Sequence, residues 1–146
     1  MPRRPIEVRA TEDEALGNFL SDRLYEFNVN ATGIADGELL SITIRDESGD
    51  LIAGLTGHSW GGCCEITQLW VHEHRRRQGL GRAVLMEAEK EAVRRRCAQI
   101  VLSTHSFQAP GFYENLGFER LAAIPNYPEG YENIVYIKYL RGSSDT

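Results

Sequence analysis

The chain has 146 residues, the size of one domain built on one core. With 42% hydrophobic and 25% charged residues, it has an ordinary globular balance that excludes wholesale disorder. A net charge of −5 argues against a nucleic-acid binder, which presents surplus Lys and Arg to phosphates, so any anion site has to be local.

Met1 to Ala10 carries Arg3 and Arg4 with no apolar run behind them, so neither a signal peptide nor an anchor is expected. No segment approaches the roughly 20 apolar residues of a bilayer span, and membrane partners are not expected. Residues 5–10 read as a short strand. Thr11 and Glu14 form a capping box opening a helix whose apolar stripe is Leu16, Phe19, Leu20 and Leu24. Residues 38–46 alternate Leu40, Ile42 and Ile44 with Ser41, Thr43 and Arg45, which is strand periodicity. After a turn at Glu47 to Asp50, a second strand spans 51–60, Gly61-Gly62 turns the chain, and a third spans 63–71.

The period then changes. Leu80, Val84, Leu85, Ala88 and Ala92 fall on one face of a helix over about 79–96, followed by a strand at 98–103. Strand, helix and strand at this spacing predict a crossover and a parallel pair within a mixed sheet. A short helix at 109–116, stopped by Gly117, leads to two last strands at 118–124 and 131–140. Residues 1–146 read as a single domain with a polar tail at 142–146. Cys63, Cys64 and Cys97 are odd in number and lack metal-type spacing, which predicts no disulfide framework, no metal site and a reducing cytoplasm.

Arg75, Arg76, Arg77 and Arg82 crowd the N-terminal end of the central helix, where the dipole already carries partial positive charge. Two glycines, Gly79 and Gly81, let a ligand approach the free N–H groups there, and a polyphosphate would relieve the charge conflict. A solvated basic turn is the plain alternative. A dinucleotide fingerprint fails at Val84, and a P-loop fails at Arg82.

The run Arg76-Arg77-Gln78-Gly79-Leu80-Gly81 matches the Arg/Gln-x-x-Gly-x-Gly/Ala coenzyme A motif of the GCN5-related N-acetyltransferase (GNAT) family. Phe112-Tyr113-Glu114-Asn115-Leu116-Gly117-Phe118 is similar to that family's second signature. The resemblance implies an α/β fold with a mixed, mostly antiparallel sheet, helices on both faces, and strands 63–71 and 98–103 splayed to admit the pantetheine arm. It implies acetyl-coenzyme A as co-substrate, held by Arg76, Arg77, Gln78, Gly79, Leu80, Gly81 and Arg82 and by the backbone of Leu69, Trp70 and Val71. Where the family often has a pantetheine-binding Asn, seven residues before Tyr113, this chain has Ser106.

Acetyl transfer to an amine needs a neutral nucleophile and a proton for the departing thiolate. Strict alternation through 63–71 places Glu65 on one face with Thr67, Leu69 and Val71, so a carboxylate among apolar neighbours is expected to act as base. Glu65 also stands fourteen residues before Gly79, where some family members carry a catalytic Glu; the plain alternative is a surface ion pair. Tyr113 resembles the family's thiolate-protonating tyrosine, and its plain alternative is a core aromatic.

Gly57-His58-Ser59-Trp60-Gly61 matches the Gly-x-Ser-x-Gly hydrolase pattern, yet a strand and not a helix follows Ser59. A non-catalytic acyl-coenzyme A sensor is the other alternative. Tyr25, Phe27, Asn28 and Tyr127 are expected at the acceptor site, which would take a small-molecule or peptide amine. A homodimer through the last strands is the family-based expectation.

Overall fold

A computed structural model describes residues 1–140, and the tail expected at 142–146 lies outside the described residues. The chain forms two compact units, Met1–Ile34 and the part from Ala35 onward.

The first unit contains one helix, α1 (Glu14–Thr32). Asp13, not Thr11, caps it: the Asp13 carboxylate accepts the Leu16 N–H at 2.9 Å. Both residue types cap helices, but Asp also places a negative charge at the positive end of the dipole. Gly33, at φ 75°, ends the helix by donating its N–H to the Val29 carbonyl at 2.7 Å. Residues 5–10 form no strand. An extended segment needs a neighbouring strand for its backbone groups, and this unit supplies only a helix. Tyr25, Phe27 and Asn28 lie in the C-terminal half of α1.

The second unit is a six-stranded mixed sheet with two helices. Its elements are β1 (Glu38–Arg45), β2 (Leu51–Trp60), β3 (Cys63–Val71), a 3₁₀ turn (Glu73–Arg75), α2 (Leu80–Arg94), β4 (Gln99–His105), α3 (Pro110–Asn115), β5 (Glu119–Pro125) and β6 (Glu132–Tyr139). Strand order is β1-β2-β3-β4-β6-β5, antiparallel throughout except where β3 meets β4. The predicted meander, crossover and final pair are all present.

The α2 stripe of Val84, Leu85, Ala88 and Ala92 is fully buried, in one cluster with Leu40, Leu55, Ile66, Ile100 and Leu102 from the sheet. Removing the side chain of Leu85, 2% exposed, costs roughly 2–5 kcal/mol in such a setting.

Arg95, just past α2, locks helix to sheet. Its guanidinium donates to Glu91 at 3.2 Å, to the Leu39 carbonyl at 3.0 Å and to Ser59 Oγ at 3.1 Å. Ser59 is therefore a buried acceptor on β2, followed by a turn and β3, and it is no nucleophile elbow.

Candidate active site

Two irregularities in the sheet make the site. The first is the separation of β3 from β4. They pair only at Cys63–Gln99, Cys64–Ile100 and Glu65–Val101, after which Ile66–Val71 and Leu102–His105 run on without pairing to each other. The second is a bulge in β3. Thr56 pairs with Gln68 while Gly57 pairs with Ile66, so Thr67 is the extra residue. The two threonine hydroxyls meet at 3.1 Å, and Thr67 Oγ1 also donates to the Thr56 carbonyl at 3.1 Å. Glycine is required opposite: a Cβ at Gly57 would stand 2.2 Å from the Glu65 carbonyl oxygen.

The bulge corrects the expected face of Glu65. Cys64 and Ile66 are buried before it, and Leu69 and Val71 pack on the same core after it. Glu65 therefore lies on the opposite face from Leu69 and Val71, exposed, with its carboxylate 3.2 Å from Nε2 of its cross-strand partner His58.

Between the parted strands and α2 lies a cleft of about 1130 Å³. One wall is the start of α2. Arg77 (φ 66°) and Gly79 (φ 76°) take left-handed conformations, and Gly79 is the N-cap without any side-chain hydrogen bond. Helix geometry leaves the N–H groups of Leu80, Gly81 and Arg82 without intrahelical acceptors, and no acidic residue stands in the first turn. Arg75 reaches Asp46 at 3.7 Å, whereas Arg76, Arg77 and Arg82 carry no ion pair among the described residues. A Cβ on Gly81 would meet Phe112 Cζ at 3.3 Å and Val71 Cγ2 at 3.4 Å, so this turn of α2 lies close against α3 and the end of β3. The arrangement suits a polyphosphate.

Tyr113, on α3, lines the same cleft. Pro110 opens α3 at its first turn. Gly117, at φ 91°, lets the chain double back so that the Phe118 N–H bonds the Tyr113 carbonyl at 3.1 Å. Tyr113 is 8% exposed, edge-on to Phe112 and Phe118 with centroids at 5.1 and 5.8 Å. Burial raises the pKa of its phenol. The neighbouring phenol of Tyr136 is committed to Glu114 at 2.9 Å, while the Tyr113 hydroxyl has no partner among the described residues and Tyr113 lines the cleft.

Of the residues expected at the site, the cleft brings together Leu69, Trp70, Val71, Arg76, Arg77, Gly79, Leu80, Gly81, Arg82, Tyr113 and Tyr127. Glu65, Gln78 and Ser106 are not among its lining. Ser106 is occupied elsewhere, with its Oγ accepting the Glu132 N–H at 3.0 Å and its own N–H bonding the Glu132 carbonyl at 2.8 Å. These bonds tie the end of β4 to the entry of β6.

His105, at the end of β4, also lines the cleft and has no motif signal in the sequence. Its Nδ1 lies 2.8 Å from the Tyr127 carbonyl oxygen, and its ring stacks on Phe107 with a 5.5 Å centroid distance and an interplanar angle of 3°. His72 and His74 are tied into the 3₁₀ turn through His72 Nδ1, which accepts the His74 N–H at 3.1 Å. Among the described residues no group of three or more His, Cys, Asp or Glu could hold a metal ion, and no helix is long and apolar enough to cross a membrane.

Residues 7–118 match the family model of the acetyltransferase (GNAT) family. The chain is 37% identical over 95 residues to blasticidin-S acetyltransferase of Streptomyces morookaense, covering 64% of this chain and 70% of the relative. It is 32% identical over 105 residues to an acetyltransferase of Agrobacterium fabrum, covering 72% and 77%. An acetyltransferase crystal structure from Bacillus cereus superposes with a TM-score of 0.76 at 26% identity, covering 92% of this chain and 98% of that one. The chain belongs to the GNAT family of acetyltransferases.

Proposed function

We propose that the protein moves the acetyl group of acetyl-coenzyme A to a primary amine of a small molecule, with donor and acceptor bound together in the cleft. One observation carries this reading: an unsatisfied, arginine-flanked helix start and an unpartnered tyrosine hydroxyl line the same cleft, beside the parted strands. The residues fit the donor. Its pyrophosphate would take the N–H groups of Leu80 to Arg82, with Arg76, Arg77 and Arg82 supplying charge. Its extended arm would use the backbone of Leu69 to Val71 that β4 leaves unpaired. The bound donor supplies an activated acyl carbon and a thiolate leaving group.

Tyr113 is the proton donor in this reading. A buried phenol held neutral across the working pH range can protonate a thiolate whose conjugate acid lies near 8.5. A small acceptor is supported by the relative that acetylates blasticidin-S. Tyr127 and Phe107 offer it aromatic surface. Action in a reducing cytoplasm suits three free cysteines, two of them buried.

The test is thiol release from acetyl-coenzyme A against a panel of amines that includes blasticidin-S, with the product identified by mass. Amine-dependent release is expected. Tight donor binding with no turnover on any amine would favour the acyl-coenzyme A sensor instead.

A further inference from the structure

The cleft contains one histidine whose two ring nitrogens are placed differently. Nδ1 of His105 faces the Tyr127 carbonyl oxygen at 2.8 Å, and a carbonyl only accepts, so Nδ1 carries a proton and, in the neutral ring, Nε2 keeps its lone pair. The ring cannot readily turn out of this state. Phe107 stacks on it, Tyr127 leans on it at 5.1 Å, and Tyr131 backs Phe107 at 5.1 Å. The backbone beneath is fixed as well: Gln108 Oε1 accepts the His105 N–H at 2.7 Å and the Thr104 hydroxyl at 3.1 Å.

We infer that His105 Nε2 is the group that takes the proton from the acceptor amine, with the Tyr127 carbonyl as the positioning group that sets its tautomer and the aromatic cluster as the acceptor subsite. The inference rests on the acetyl-transfer reading. The steps balance. The acceptor ammonium gives one proton to Nε2, which becomes imidazolium. The freed nitrogen lone pair forms the N–C bond, and the C–S bond breaks with its electrons on sulfur. The Tyr113 hydroxyl protonates the thiolate, and the second N–H proton returns to Tyr113 through water. His105 releases its proton to solvent, so each turnover yields one amide, one thiol and one proton.

The Glu132–Arg120 pair, at 3.5 Å, stands across the β6 entry, and Arg75, Arg76, Arg77 and Arg82 line the same cleft. Glu65 is not among the cleft lining, and its carboxylate is engaged by His58. The acid-side limb of the rate profile, wherever it falls, is therefore expected to belong to His105.

Acetyl transfer by the wild type is measured first, so that failure of that reading is seen separately as absence of any turnover. His105→Gln keeps a polar side chain of similar reach but offers no base. Its kcat is expected to fall by roughly 10²-fold, with loss of the acid-side limb and with donor Kd within about twofold of wild type. His105→Ala is expected to regain rate when imidazole is added, which a folding defect would not allow. A kcat within threefold of wild type in His105→Gln overturns the inference. So does a lowered kcat that keeps the acid-side limb and is not rescued by imidazole in the alanine variant. Loss of that limb in Glu65→Gln in place of His105→Gln would assign the proton to Glu65 and overturn it too.

Discussion

Tyr113 keeps its ring contacts with Phe112, Phe118 and Tyr136 whether or not it carries a hydroxyl, so Tyr113→Phe isolates the proton from the packing. Turnover is expected to fall by roughly 10- to 1000-fold while donor affinity shifts little, because in the proposed reading the hydroxyl acts on charge that develops only in the transition state. Steady-state kinetics set against calorimetric Kd for acetyl-coenzyme A checks this; an unchanged kcat would leave Tyr113 as a packing residue. Gly81 is the converse case, a position whose function is to have no side chain. A Cβ there already presses Phe112 at 3.3 Å and Val71 at 3.4 Å, and the branched Val adds methyl groups beyond it. Gly81→Val should weaken donor binding by at least about tenfold, since Phe112 has to move into the space beside Tyr113. A native-like circular dichroism spectrum with unaltered donor Kd would remove the phosphate cradle from the start of α2.

At the scale of elements, the proposed reading has the start of α2 bind the donor by charge and geometry together. Arg76, Arg77 and Arg82 are exposed, so each alone contributes modestly and is screened by salt. Arg76→Ala and Arg82→Ala are each expected to raise donor Kd about three- to tenfold at low ionic strength, with the difference shrinking by 0.5 M salt. A salt-independent effect would mean that the arginine shapes the loop. This element was legible in the sequence because its signal is local: glycines, arginines and the helix period all fall within one stretch of chain. The six strands of the second unit were legible for the same reason, with limits that shift by at most two residues, whereas the strand expected at 5–10 is absent. The bulge at Thr67 was not, because an extra residue in β3 is defined only by its pairing to Thr56 and Gly57 on β2. Missing it reversed the inferred face of Glu65. The hydrogen bonds of Ser106 were illegible for a similar reason, since its partner Glu132 belongs to another part of the chain. His105 gave no signal at all, because what singles it out is the Tyr127 carbonyl, 22 residues away. Thr11 and Asp13 differ in another way: both can cap, and the chain used the charged one.

At the scale of the whole second unit, the core holds several weak acids in their neutral form. Burial raises the Cys64 thiol to about 11, with the nearby Cys97 adding to the effect. Burial also raises Cys97, Tyr113 and Tyr136, the last further through its hydrogen bond to Glu114. A group whose pKa is raised on folding holds its proton more tightly in the native state than in the unfolded chain. Below the unfolded value both states are protonated and the stability is fully present; above it the unfolded chain ionises first and stability drains away as pH climbs through the folded value. The unfolded values are about 9 for the thiols and 10 for the phenols. Urea midpoints should therefore be level from pH 7 to about 8.5 and then fall continuously to pH 11, well above the range in which carboxylates or histidines titrate. Cys64→Ala separates this cause from general alkaline damage. The smaller side chain leaves a cavity that costs stability equally at every pH, whereas the thiol's share of the slope between pH 9 and 11 disappears. The variant's midpoint should thus start below that of the wild type at neutral pH and approach it as the solution becomes alkaline; two parallel curves would show that the buried thiol does not ionise on unfolding in this range.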